Sequence, residues 1–335
     1  MIDGSKNITT LDLFRGIAGY GVAICHFYYY LYNLDNFQFY SIFFVEFFFV
    51  LSGFVLFPQL QKVYNNKKNI KIFYFRRWLR TIPPYVVTLI CYSMLFSKFD
   101  GDTLKYLFFV QKISPNFLEL DYFSIAWSLS VEEFFYFIFP IFLIVFNKKK
   151  LIHILILFIF LIYALKIVYL FINVDHEFYR IGTFLRLDAI AFGVITRIYL
   201  QKIKNNLANI FLAILIVFIM NYFLINLKDL TVIELFLFVV LIQFFSINMI
   251  IIFVNFNKII VNKFLVNFFS LLSKQTYSIY LFHFVIIHLI SQNIFLLDQK
   301  LIFPLYIISL FLFSSIFYYV FEKGIVENRP TYKLS

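Results

Sequence analysis

Apolar positions along this chain recur neither at the period of a half-buried strand nor at that of a surface helix. They run nearly unbroken for about 20 residues at a time, the length that carries a helix across a hydrocarbon core of about 30 Å. Such runs occupy residues 11–32, 40–60, 82–99, 125–146, 151–172, 181–200, 207–225, 231–254, 276–291 and 301–321. The pattern predicts an all-α polytopic membrane helix bundle with about ten transmembrane helices, built as one integral domain over residues 1–335 with no fused soluble domain. The longest interruption, residues 100–124, contains the run KYLFFV and is expected to lie outside the membrane as a short helix. The chain has no visible internal repeat.

Composition sharpens the class. Of 335 residues, 62% are hydrophobic, 23% aromatic and only 14% charged, against about 25% charged in a soluble chain. The net charge of +11 would point to nucleic acid in a soluble protein, but its placement says otherwise. Lys and Arg gather in alternate gaps: Lys62 to Arg80, Lys148 to Lys150, Arg197 to Lys204, Lys258 to Lys274 and Lys323 to Lys333. The intervening gaps hold few, among them Lys98, Lys105, Lys112, Arg180, Lys228 and Lys300. This is the positive-inside alternation; with about ten spans it puts both termini in the cytoplasm and leaves no nucleic-acid partner to explain. Cys25 and Cys91 both lie within apolar runs, which argues against a disulfide framework. The first span lacks the features of a cleaved signal and is expected to stay as an anchor.

Ionisable side chains inside spans are costly and face a cavity or a partner. Here they are Arg15 and His26 in the first span, Glu46 in the second, Glu132 and Glu133 in the fourth, Lys166 in the fifth, Arg186 and Asp188 in the sixth and His283 in the ninth. Counting from the span ends puts His26, Glu46, Glu132 and Asp188 at one depth in the outer half of the membrane. Arg15 stands eleven residues before His26, close to three turns, so one helix wall carries a cation about 16 Å nearer the cytoplasm than the imidazole. Arg77 and Arg80, with Arg76 beside them, stand at the cytosolic mouth of the third span as an i,i+3 pair of guanidinium forks suited to phosphates. Lys166 is expected to snorkel to the outer interface, and Asp188 to pair locally with Arg186.

At these residues the chain resembles the acyltransferase 3 family of bacterial membrane O-acyltransferases. LDLFRGIAGYGVAICH matches that family's arginine–ten residues–histidine signature at Arg15 and His26; EFFFVLSGF, from Glu46, is similar to its second-span motif. RRWLRTIPPY carries the Arg-x-x-Arg element as Arg77 and Arg80, and WSLSVEEFFY the acidic motif at Glu132. RLDAIAFG, TYSIYLFH and ENRP resemble later segments in the same order. The resemblance implies transfer of an acyl group, acetyl in the usual case, from cytosolic acyl-CoA to a hydroxyl of an envelope glycan at the outer face of the bacterial inner membrane. Some members carry a fused periplasmic hydrolase-like domain, so a separate periplasmic protein or a homo-oligomer is a candidate partner.

The expected roles follow. His26 is general base or acyl-carrying nucleophile, with Glu132 orienting it or pairing with an arginine. Arg15, Arg77 and Arg80 hold the acetyl-CoA phosphates, and Glu46, Asp188, Arg186 and His283 support the site. No metal is expected. Cys25, about 100° around the helix from His26, reads as apolar filler. The residues leave a second class open, a transporter or flippase for an anionic or glycan-lipid substrate. Inverted repeats and Gly- or Pro-broken helices would mark one, and the chain has nine Gly, seven Pro and no repeat.

Overall fold

The computed structural model describes residues 8–146, 149–172, 175–200, 206–225, 230–259, 262–292 and 298–332. The basic positions Lys148, Lys202, Lys204, Lys228 and Lys333 lie outside them. Among the described residues the fold is entirely helical. The chain runs α1 (Thr9–Tyr32), α2 (Asp35–Asn65), α3 (Ile70–Leu95), α4 (Gly101–Leu107), α5 (Ala126–Val145), α6 (Leu151–Phe171), α7 (His176–Ile181), α8 (Leu187–Tyr199), α9 (Asn206–Ile225), α10 (Val232–Asn255), α11 (Lys263–Gln292), α12 (Gln299–Phe317) and α13 (Lys323–Glu327).

Six of these are long and apolar enough to cross a membrane: α2, α5, α6, the first part of α9, α10, and α12 with its continuation to Glu327. This makes the chain a multi-pass membrane protein. Three of the remaining helices, α1, α3 and α11, are long but carry Asp12, Arg15 and His26, the arginines of RRWLR, and Lys274 and His283. Those side chains lower their apolarity, and of them Arg15, His26, Arg77, Arg80 and His283 line or adjoin the interior cavities. The predicted sixth span is shorter than expected. Residues 181–200 resolve into the end of α7, a 3₁₀ turn Thr183–Arg186 and only thirteen residues of α8, about 20 Å of helix. The helix starts inside the protein, at Arg186.

Close packing sets the centre. α1 lies between α2 and α11, and α2 runs along α8. At the α2–α8 crossing, Gly53 faces the Ile190 carbonyl and Gly193 faces the Val50 carbonyl so closely that a Cβ on either would overlap the opposite backbone. Glycine is required at both positions because the two backbones themselves are in contact. The Phe-rich run of α2 is core rather than lipid-facing: Phe47 and Phe49 are buried. α9 sits at the rim against α10, with Leu207, Phe211 and Phe218 exposed as lipid-facing positions would be.

The expected short helix between residues 100 and 124 is present as α4, closed by a reciprocal Asp100–Thr103 capping box. The residues after it fold inward. Phe109, Gln111, Tyr122 and Phe123 are buried, and Gln111 donates to the Ala126 carbonyl (2.9 Å) and to Ser130 Oγ (2.5 Å). Phe109 stacks on Tyr85 of α3 at 4.4 Å, and the Lys112 carbonyl accepts from the Thr183 amide at 2.9 Å. An irregular backbone is tolerated among spans only where protein surrounds it and satisfies its polar groups, and this segment meets that condition.

Candidate active site

Two cavities open around α1, α2, α5 and α11. The first, about 110 Å³, lies among α1, α2, α3, α5 and α11 and is lined by Arg15, Ser52, Arg77, Arg80, Glu132 and Tyr136 among others. The second, about 90 Å³, is lined by His26, Tyr30, Ser124, Trp127, Glu177 and Arg180. Val45 and Tyr280 line both. The Tyr280 hydroxyl is fixed in that wall by Ser128 Oγ at 2.5 Å and the Ile125 carbonyl at 3.2 Å. The arginine cavity and the histidine cavity are therefore neighbours with one wall between them.

His26 meets His283, not a carboxylate. His26 Nδ1 stands 2.8 Å from His283 Nε2, with the rings 5.1 Å apart and nearly parallel at 15°. Phe284 stacks against the His26 ring at 4.8 Å. Nδ1 of His283 is 2.7 Å from the Tyr280 carbonyl oxygen and 3.2 Å from that of Ile279. A carbonyl oxygen can only accept, so His283 carries its proton on Nδ1, and in its neutral form its Nε2 is an acceptor. His26 must then donate from Nδ1, and in its neutral form its Nε2 bears a free lone pair. A backbone carbonyl thus fixes both tautomers, the role a buried carboxylate plays in a Ser-His-Asp triad.

On the arginine side, Arg15 Nη1 donates to Ser273 Oγ at 2.8 Å and lies 3.8 Å from Asp12. Arg77 is buried and packs over the Tyr136 ring at 5.2 Å. Tyr136 in turn is hydrogen-bonded to Ser52 Oγ (2.8 Å) and donates to Glu132 (3.2 Å). Within 4 Å, Arg76, Arg77, Arg80 and Arg329 make no ion pair among the described residues, and Nε of Arg76 and of Arg77 is buried without a hydrogen-bond partner. Guanidiniums gathered in and beside this cavity, none of these four in an ion pair among the described residues although Glu132 lines the same cavity, form a site for an anion with several oxygen acceptors.

The remaining candidates form a separate cluster. Arg186 pairs with Glu46, and Lys166 pairs with Asp188 at 2.5 Å, where Gln243 also donates at 3.2 Å. Two cations and two carboxylates close a buried network joining α2, α6, α8 and α10, and none of the four lines the cavities above. Three expectations change here. Lys166 does not snorkel; it is 2% exposed, held by Asp188. Asp188 pairs with Lys166 rather than with Arg186, because Arg186 is taken by Glu46. Nor do the four ionisable groups share one layer. Glu132 is tied through Tyr136 to Ser52, six residues along α2 from Glu46, which is about 9 Å of rise. Glu132 therefore joins the arginines and does not orient His26.

Sequence reasoning missed Tyr280, Ser128, Tyr136, Arg180 and Gln243 as parts of these sites. A free tyrosine hydroxyl in an apolar run was the one available signal. Trp127 lines the histidine cavity against Phe49 (5.7 Å) and Arg180 (5.9 Å). Cys25 and Cys91 are unpaired, as expected.

The chain is similar to several known proteins. The chain is 35% identical over 125 residues to the peptidoglycan O-acetyltransferase OatA of Listeria monocytogenes, covering 31% of this chain and 20% of that protein. It is 27% identical over 327 residues to a putative O-acetyltransferase of Staphylococcus aureus, 86% of this chain and 52% of the relative. It is 29% identical over 173 residues to O-acetyltransferase OatA of Staphylococcus aureus, 45% and 29% of the two. The chain thus spans about half the length, or less, of these relatives. No solved structure matches it significantly. The family model for the acyltransferase domain matches residues 8–321, nearly the whole chain and every side chain of both cavities, and the chain belongs to the acyltransferase 3 family.

Proposed function

We propose that this protein is a membrane O-acyltransferase that moves an acetyl group from cytosolic acetyl-CoA to a hydroxyl of an envelope glycan, with peptidoglycan the first candidate acceptor. The observation that carries the reading is the free Nε2 of His26, fixed by His283 and the Tyr280 carbonyl, in a polar cavity one wall away from a cavity whose Arg77 and Arg80 make no ion pair within 4 Å among the described residues. The acceptor oxygen attacks the thioester carbonyl as His26 Nε2 removes its proton; the C–S bond breaks, and the proton passes to the departing thiolate. Histidine ends neutral, and ester and free thiol are the products. The same lone pair would serve an acyl-histidine route.

About ten crossings, with both termini cytosolic, fit this chemistry. One end of the bundle gathers Lys62, Arg76, Arg77, Arg80 and Arg329, whereas the histidine cavity at the other end sets Asp121 and Glu177 beside a single Arg180. Basic residues favour the cytosolic side, where acyl-CoA is. The relatives named for peptidoglycan O-acetylation support the acceptor class.

The test is transfer from radiolabelled acetyl-CoA to peptidoglycan fragments by protein reconstituted in vesicles, with His26→Ala alongside. Acetylation by the wild type that falls at least a hundredfold in a folded variant supports the reading. A His26→Ala protein that keeps a tenth of the activity removes the general-base assignment, and a folded wild type inert toward acetyl-CoA removes the donor.

A further inference from the structure

The C-terminal segment 328–332 lies as a strap against the ends of α2 and α3, beside the arginines of the first cavity. Arg76 Nη1 donates to the Pro330 carbonyl at 2.5 Å. The Tyr332 hydroxyl donates to Gln59 Oε1 at 3.1 Å. The Tyr332 ring is flanked by Lys62 Nζ at 4.8 Å and the Arg76 guanidinium at 5.2 Å, a cation–π contact on a half-buried aromatic. These contacts tie the strap to the ends of α2 and α3, so its course is built and not incidental.

They bring Arg329 to a place where a cation is unwelcome. Arg329 uses Nε to hold the Val326 carbonyl at 2.8 Å, and no carboxylate lies within 4 Å of its fork among the described residues. Burial, and then the like charges of Arg80, Arg76 and Arg77, bring its pKa down to about 10. A fourth guanidinium held against three others raises the energy of the empty protein. Like charges at close range repel and desolvated cations favour partners, so the group of four suits a strongly anionic ligand.

Resting on the acetyl-CoA reading, we propose that Arg329 is a ligand for the donor's phosphates, held by the strap opposite Arg76, Arg77 and Arg80. The helix pair Arg77 and Arg80 approaches the nucleotide from α3; Arg329 approaches from the chain's other end, so the phosphates are gripped between two elements distant in sequence. Strap and donor then stabilise each other: phosphate neutralises the repulsion that works against docking Arg329.

The experiment uses the detergent-purified full chain, titrated with acetyl-CoA and separately with acetyl-pantetheine, which has the same thioester arm and no phosphate. Wild type, Arg329→Ala and Arg329→Gln are compared by calorimetry after their unliganded melting temperatures are matched. The expected result is a 10- to 100-fold weaker Kd for acetyl-CoA in both variants with acetyl-pantetheine binding unchanged, the scale of one charge-assisted hydrogen-bonded contact. An unchanged Kd for acetyl-CoA would overturn the proposal, as would an equal loss for both probes, since that reports a disturbed cavity. A wild type that binds neither probe removes the donor reading itself, which the first comparison tells apart from failure of Arg329 alone.

Discussion

His283 presents Nε2 to His26 Nδ1 at 2.8 Å while its own Nδ1 is tied to the Tyr280 carbonyl at 2.7 Å. The pair acts as a unit, and a substitution at the second ring should reach the first. His283→Leu removes the acceptor and frees His26 to rotate or change tautomer. We expect kcat to fall by about 10² to 10⁴, the range seen when an orienting partner is lost, with KM for acetyl-CoA little changed. His283→Gln offers an amide oxygen to the same Nδ1–H and should recover part of the rate. Steady-state kinetics of the three proteins check this, and a His283→Leu variant within twofold of wild type would refute it.

The buried Glu46–Arg186 pair has a different consequence. Replacing Arg186 with Met leaves Glu46, which is 1% exposed, without its counter-ion. Breaking one partner of such a pair costs about 3–5 kcal/mol, whereas replacing both is often near neutral. Arg186→Met should therefore lower the melting temperature sharply, and adding Glu46→Gln should restore most of it. Fluorescence-detected melting of the single and double variants reads the difference; a double variant as weak as the single one counts against a local charge effect.

At the α2–α8 crossing the prediction is steric. Ala at Gly53 or Gly193 adds one methyl where the opposite backbone already sits. Overpacking of this kind costs about 1–3 kcal/mol; here backbone rather than a flexible side chain must move, so the upper end is expected. Ala at Gly324, which has open space around the Cβ position, is the control and should be tolerated. Equal melting temperatures for Gly53→Ala and Gly324→Ala would contradict the crossing geometry.

Asp102, outside the spans, gives the pH dependence. Burial alone would raise its pKa, but the Lys105 ammonium at 2.8 Å and the amides of Leu120 and Glu119, each at 2.9 Å, outweigh that and hold the carboxyl below its ordinary value. With the folded value the lower one, the stabilisation is complete above the unfolded value of about 4 and disappears as pH falls through the folded value. Asp102→Asn should melt below wild type at neutral pH, and the gap should close as pH drops below about 4. A gap constant down to pH 3 would show that the carboxylate charge is not what holds residues 119 and 120 in place.

The interior chemistry was legible in the chain because charge inside apolar runs is rare. Arg15, His26, Arg77, Arg80, Glu132 and His283 all line a cavity or touch a residue that does. What could not be read was partnership across helices. Spacing along one helix tells which face a side chain takes, but the offset of α5 against α2 is set by packing, so Glu132 and Glu46 looked level when Glu132 is tied to Ser52, about 9 Å of rise along α2 from Glu46. Lys166 was misread because a long side chain near a predicted span end can reach outward or inward, and only the neighbouring Asp188 on α8 decides. The plug after α4 and the strap over the arginines have no periodicity at all. Their backbones are fixed by Gln111, Lys112 and Tyr332, single contacts with elements remote in sequence.

The wall shared by Val45 and Tyr280 has a bioenergetic meaning. Two water-accessible hollows meeting end to end across a bilayer would make a wire for protons, and His26 would be a relay on it, discharging the gradient at every turnover. A branched aliphatic side chain and a tyrosine whose hydroxyl is already committed to Ser128 and Ile125 offer no such relay. If the donor enters from the basic end and the acceptor from the other, only the thioester tip of the donor has to reach past the wall, and the proton taken up by His26 leaves with the departing thiol rather than crossing the membrane.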